Sequence, residues 1–304
     1  VNLTHLIKAA ATGLLLNFTT GCAHFVEQQL LYPSDDSLII KGVSEAELLE
    51  MHHLQPRTAS GQQEFLFYFG DAETITSDYA APNLDLNVRF ANAAEDEEPV
   101  RKYRLQLEPV AETISRAKGI VILLHSYSTN AQSVLFDNTA LQLQGYHTAV
   151  IDLLGHGRAK NQPVSFGNAD VNRLHQLVTQ LRQQYQLPVI LYGKSYGASI
   201  AAQYIESHGG ISGFIAVAPM TDFTPAAIRV AKISSPFFTE LVSDQWLQET
   251  FENVLLDKQT NSRQLSTPHI LLRQPSGSLP PTLVLTGEFD KISNPKQIKE
   301  LARI

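Results

Sequence analysis

The sequence predicts an α/β fold, an open and mostly parallel central sheet with helices on both faces. Three observations lead there. From Gly119 onward, short continuous apolar runs alternate with stretches of helical periodicity, as in parallel strands covered on both sides. The chain has 304 residues, enough for one large α/β core with appendages. Finally, residues 188–208 read as a strand, a glycine-containing turn and a helix in immediate succession.

The expected parallel strands are 120–124, 147–152, 189–192, 214–218 and 283–286. Between the second and third, Leu174, Val178, Leu181 and Tyr185 recur at three and four residues, which predicts a helix over 170–185 with Asp170 as N-cap. Pro188 then restarts the chain as a strand. Upstream, the runs 64–69, 84–91 and 102–110 look like strands separated by Gly, Pro, Asp and Asn. The acidic stretch 93–99 reads as a solvated hairpin tip. Ser44 is an N-cap for a short helix through Glu50.

About sixty residues between Thr221 and Pro281 break the alternation, with helices expected at 226–233 and 238–251. An insertion of that length suits a cap over a site. Phe237, Phe238, Leu241, Trp246 and Leu247 fit an apolar substrate pocket and cap-to-body packing equally well. The organisation read from sequence is therefore a targeting segment at 1–21, an irregular lead-in at 22–62, and an α/β domain at 63–304 with a cap at about 223–280.

The net charge of −7 argues against a nucleic-acid partner, which calls for a basic face. A single cysteine, Cys22, rules out an intrachain disulfide and a cysteine-built metal site. It follows Lys8 and an apolar run at 9–18, too short to span a bilayer but suited to a signal-peptide core. The ending Thr19-Thr20-Gly21-Cys22 resembles a bacterial lipoprotein cleavage box. That resemblance implies lipidation of Cys22, a membrane partner through the anchor, and a place in the bacterial cell envelope. A buried N-terminal helix with an inert cysteine is the other reading.

The chemistry centres on Tyr192-Gly193-Lys194-Ser195-Tyr196-Gly197-Ala198. A serine on a sharp strand-to-helix turn needs glycine two positions to either side, because side chains there would collide. The helix N-terminus that follows favours a developing negative charge. In this context Gly193-Lys194-Ser195-Tyr196-Gly197 resembles the nucleophile elbow of the α/β-hydrolase superfamily, and three further segments follow in that family's order. Leu124-His125-Ser126-Tyr127 is similar to the oxyanion loop, with serine in place of the usual glycine at 126. The resemblance gives the backbone N–H groups of Tyr127 and Tyr196 to the oxyanion hole. Asp152-Leu153-Leu154-Gly155-His156-Gly157 resembles a loop whose histidine is structural, a role also suited to His125. Thr286-Gly287-Glu288-Phe289-Asp290 resembles the turn carrying the catalytic acid, which makes Asp290 the acid and Asp222 the runner-up.

The implied activity is hydrolysis of an ester, thioester or amide through an acyl-enzyme on Ser195, with no metal and no organic cofactor. The motifs resemble the serine aminopeptidase and lysophospholipase-like esterase branch, so substrates are small-molecule esters, lipids or peptides. The family's order also places a catalytic histidine after the acid, and this sequence has none beyond Asp290. The expectation is a chain cut before its last strand and histidine, with impaired turnover. His269 is the substitute to consider. The rival reading is a non-catalytic binding or structural lipoprotein that keeps the fold.

Overall fold

A computed structural model describes residues 22–34, 43–61, 63–75, 84–88, 101–105, 114–275, 277–287, 290 and 292–301. The expected leader at 1–21 and the acidic tip at 93–99 lie outside the described residues. Seven strands form the main sheet: β1 (Leu54–Ala59), β2 (Phe65–Gly70), β5 (Ile120–Leu124), β6 (His147–Ile151), β7 (Val189–Lys194), β8 (Gly213–Val217) and β9 (Thr282–Leu285). Their spatial order is β1-β2-β6-β5-β7-β8-β9. The five from β6 to β9 are mutually parallel, and β1 and β2 add antiparallel pairs on one side. β3 (Leu84–Val88) and β4 (Arg101–Leu105) pair only with each other.

β5 shows why the sheet is buried on both faces. Its five residues are all at most 1% exposed, and successive side chains point to opposite sides. Ile120, Ile122 and Leu124 enter the larger core, with α4 (Asn168–Tyr185) and α5 (Tyr196–His208). Val121 and Leu123 enter the smaller one, with α3 (Leu135–Leu143) and α2 (Glu45–Met51). The Ser44 cap is present as a capping box, with the Glu47 side chain returning to the Ser44 N–H at 2.7 Å.

Connections leave β5 and β7 in opposite directions. From β5 the chain passes to β6 on one side, and from β7 to β8 on the other. The carboxyl ends of those adjacent strands therefore flank the crevice where sheets of this kind hold ligands.

Three expectations need correction. Residues 22–31, placed in an irregular lead-in, are helical (α1), and Val26, Leu30 and Leu31 are buried in the larger core; residues 54–59 of the same stretch form β1. Asp170 is not the N-cap of α4, which begins at Asn168 after Gly167 at φ 137°. Its carboxylate is instead buried and accepts from the Leu154 N–H at 2.9 Å and the Ser165 hydroxyl at 2.6 Å. The helix expected at 238–251 is two, α7 (Pro236–Leu241) and α8 (Asp244–Asp257), because the Ser243 hydroxyl caps a new start at the Trp246 N–H. α6 (Phe223–Ser234), α9 (Thr267–Leu272) and α10 (Pro295–Glu300) complete the helices used below.

Candidate active site

Ser195 stands between β7 and α5 with φ 48° and ψ −109°, a conformation that L-residues adopt only when the surroundings enforce it. The enforcement is visible. The Ser195 N–H donates to Val217 O on β8 at 2.9 Å, and Ser195 O accepts from the N–H groups of Ala198 at 3.0 Å and Met220 at 3.2 Å. A Cβ on Gly193 would sit 2.5 Å from both the Ala198 N and Cα, and one on Gly197 would sit 2.4 Å from Leu124 O. Both glycines are thus required by backbone approaching backbone, as the motif demands. Lys194, between Gly193 and Ser195, is tied to α3 through Asp137 at 2.5 Å. The Asp137 carboxylate also accepts from Tyr192 Oη at 2.8 Å.

The turn after β5 lies against this elbow, since Gly197 packs on the carbonyls of Leu124 and His125. The Tyr127 and Tyr196 rings meet edge to face, centroids 5.8 Å apart. The Tyr196 N–H belongs to the first turn of α5, where helical N–H groups have no intrahelical acceptor.

Both neighbouring histidines are fully buried supports. His125 Nε2 accepts from the Leu153 N–H at 3.0 Å. That acceptance puts its proton on Nδ1, facing Ser126 O at 2.8 Å. His156 repeats the arrangement: Nε2 accepts from the Ser128 N–H at 3.1 Å and Nδ1 faces Leu154 O at 2.9 Å. Ser128 is at φ 56°, so His156 holds the one strained residue of the loop. Asp152, which burial pushes above the usual carboxylate range, accepts from the N–H groups of Ala131 and Arg158 and is likewise structural.

Asp290 follows β9 on the same edge of the sheet. Its Oδ1 accepts from the N–H groups of Ile292 at 2.8 Å and Ser293 at 2.9 Å, and no donor among the described residues reaches Oδ2. The turn is stitched to the segment beside Ser195: Ser293 Oγ donates to Pro219 O at 3.1 Å, and the Asn294 N–H donates to Thr221 Oγ1 at 3.1 Å. Asp222, at the N-terminus of α6, accepts from Gln297 Nε2 at 3.0 Å.

Among the described residues, no histidine ring is hydrogen-bonded to Ser195 or Asp290. His147 starts β6, level with Ile120 and Val189 at the opposite ends of the strands from Ser195. His52 precedes β1, and β1 and β2 carry it to that same far edge. His208 ends α5 and stacks on His175 at 4.2 Å. His269 is half-buried on α9, whose Thr267 N–H donates to Met220 O at 2.9 Å; that links its helix, but not its ring, to the Ser195 turn.

The structure separates the apolar residues expected to form a cap. Leu247 is buried and Trp246 packs against the core, whereas Phe237 is 77% and Leu241 64% exposed; the side chain of Phe238 lies outside the description. A cavity of about 960 Å³ between α6 and α8 has Arg229, Lys232, Asp244 and Glu252 among its lining, and not Ser195. As for metals, Asp71, Glu73 and His147 come together. Each is already used by the protein: the Ala72 N–H reaches His147 Nδ1, the Glu73 N–H reaches Asp71, and the Ala117 N–H reaches Glu73. No helix among the described residues is long and apolar enough to cross a membrane.

Sequence reasoning missed the contact of α1 with the loop after β5, where Tyr127 Oη donates to Leu30 O at 2.6 Å. The signal was present in Val26, Leu30 and Leu31, spaced for one helical face.

Two crystal forms of an esterase from Pyrococcus furiosus share this fold. One superposes with a TM-score of 0.54 at 13% identity, covering 89% of this chain and 82% of the esterase. The other gives 0.53 at 13%, over 88% and 83%. No curated protein matches the chain in sequence. Residues 115–277, more than half of the chain, match the family described as serine aminopeptidase, S33. That span holds the Ser195 turn, the loop after β5 and most of the helical segment between β8 and β9, and the chain belongs to this family of α/β-hydrolases.

Proposed function

We propose that the protein is a serine hydrolase acting on ester, thioester or amide bonds, with Ser195 as nucleophile. The observation that carries this reading is the Ser195 backbone, held at φ 48° between glycines that admit no side chain. A structural serine has no need of such strain. In the proposed reaction Ser195 Oγ bonds to the substrate carbonyl carbon, the N–H groups of Tyr127 and Tyr196 stabilise the oxyanion, and the alcohol, thiol or amine leaves with a proton. Water then releases the acid. Asp290 is the carboxylate that would orient an imidazolium.

No imidazole among the described residues is bonded to Ser195, and a triad lacking one member loses about 10⁴–10⁶ in turnover. The 304-residue chain on its own is therefore proposed to hydrolyse slowly. A fluorophosphonate probe on the folded full chain tests the reading, with Ser195→Ala as control, together with p-nitrophenyl ester hydrolysis with and without added imidazole. Serine-dependent labelling and an imidazole-stimulated rate that Ser195→Ala removes are expected. Absence of serine-dependent labelling in folded protein would sink the proposal.

A second reading open to the sequence is a non-catalytic binding lipoprotein that keeps the fold. It predicts neither labelling nor imidazole response. For both readings we propose lipidation at Cys22 and anchorage in the bacterial cell envelope, resting on the Thr19-Thr20-Gly21-Cys22 box. Cys22→Ala should then release the protein from membranes, and a wild type already found in the soluble fraction refutes it.

A further inference from the structure

The last turn of α1 lies on the loop after β5. Carbonyls in a last helical turn have no intrahelical donor, and here two are satisfied by the body of the domain. Leu30 O accepts from Tyr127 Oη at 2.6 Å, and Leu31 O accepts from the Val164 N–H at 2.8 Å. Val26, Leu30 and Leu31, each 7–8% exposed, bury the same helix face in the larger core.

The Tyr127 ring fills the space between α1 and the elbow. It meets His156 at 5.4 Å, Tyr196 at 5.8 Å and Phe223 at 5.9 Å between centroids, each edge-on. Burial pushes the phenol well above its ordinary titration range, so the hydroxyl stays a donor. The peptide plane that carries the Tyr127 N–H is held at its Ser126 carbonyl, which faces His125 Nδ1 at 2.8 Å and accepts from Thr129 Oγ1 at 2.8 Å, and beyond Tyr127 the Ser128 N–H meets His156. The Tyr127 side chain, reaching α1, adds the hold at the Cα end of that plane. A backbone N–H that serves as an oxyanion donor works only when aimed, and a displacement of about 1 Å can cost roughly 10²-fold in rate.

We propose that Tyr127 is a positioning residue whose side chain, tied to the Leu30 carbonyl, holds the Cα end of the peptide plane that carries its own N–H, together with the bonds on Ser126 O, so that α1 forms part of the oxyanion site. The proposal rests on the serine-hydrolase reading for its chemical consequence and on the Tyr127–Leu30 contact for its structural one.

The test compares the full chain with Tyr127→Phe, which removes only the hydroxyl, and Leu30→Ala, which loosens the docking of α1 while keeping the carbonyl. Hydrogen exchange over residues 125–131 is measured alongside the fluorophosphonate labelling rate constant, split into probe affinity and maximal rate. In Tyr127→Phe, exchange in that segment should rise about tenfold while α4 and α5 keep their protection. The maximal labelling rate should fall about tenfold with probe affinity unchanged, short of the 10²–10³ expected for losing a donor outright. Leu30→Ala should change both in the same direction. Unchanged exchange in both variants overturns the proposal, as does faster exchange with an unaltered maximal rate. If wild type itself does not label, the hydrolase reading has failed, and the exchange measurement still decides whether the Tyr127 hydroxyl fixes the loop.

Discussion

A Cβ placed on Gly197 would lie 2.4 Å from the Leu124 carbonyl oxygen and 2.6 Å from that of His125. Those oxygens belong to the end of a central strand and the turn leaving it, so neither can move without disturbing the sheet and the loop together. Gly197→Ala is expected to destabilise the fold by about 3 kcal/mol, the upper range for overpacking, and to displace Ser195. The checks are the urea midpoint and serine-dependent probe labelling. A variant with wild-type midpoint and labelling would contradict the packing described.

Ser195 supplies the complementary case. Its φ of 48° and ψ of −109° are open to glycine at no steric cost, while strain of this kind costs about 1–3 kcal/mol in other residues. Glycine loses about 0.5–1 kcal/mol more backbone freedom on folding, so the gain outweighs the loss. Ser195→Gly should raise stability by about 1 kcal/mol and abolish labelling, a trade expected where strain is stored for chemistry. A fall in melting temperature would argue that the turn is not strained.

The parallel strands and the elbow were legible because each is a local pattern. Ile120–Leu124 has one apolar run and one set of ends, and glycines at 193 and 197 answer a steric demand within seven residues. What escaped the reading depends on distant partners. Asp170 has the residue type of an N-cap, but the Leu154 N–H and Ser165 Oγ claim its carboxylate, and nothing in 166–175 announces the partner at Leu154. The Tyr127–Leu30 contact joins positions 97 apart, so only the fold brings them together. Of the candidate site, the strand ends put Ser195, the Tyr127 loop and Asp290 on one edge and His147, first in its parallel strand, on the other, while the far-edge position of His52 follows from antiparallel register that residue types do not encode.

β9 is the outer strand of the described sheet, beside β8. Leu283 is 51% and Leu285 47% exposed on one face, next to the half-buried Ile215 and Val217. An apolar edge strand is a template for pairing with other chains. Leu283→Thr with Leu285→Thr introduces β-branching, which suits a strand, and removes apolar surface that contributes little to the core. Light scattering of the 304-residue chain should show less concentration-dependent association in this double variant, with the thermal midpoint within about 3 °C of wild type. Unchanged association would place the sticky surface elsewhere, for instance at Phe237 and Leu241.

His52 gives a pH dependence whose sign can be worked out. It is 6% exposed, its Nδ1 lies 2.8 Å from Thr139 Oγ1, and its carbonyl accepts from Asn138 and Gln142. Burial lowers its pKa from 6.5 to about 4. Between those values the unfolded chain binds a proton that the folded chain refuses, so this residue's contribution is complete above pH 6.5 and is lost as pH falls toward 4. The loss amounts to about 3 kcal/mol at 1.36 kcal/mol per unit. The buried carboxyls of Asp152 and Asp170 act oppositely, because burial raises their pKa values and the folded state then takes up protons first. The net acid slope therefore mixes both signs, and a difference between variants isolates His52. In His52→Asn, denaturant unfolding between pH 7 and 4 should lose most of that 3 kcal/mol of acid sensitivity relative to wild type, whatever the variant's stability at pH 7. Parallel pH profiles for the two proteins would show that His52 takes up its proton without opening the contact between α3 and the segment joining α2 to β1.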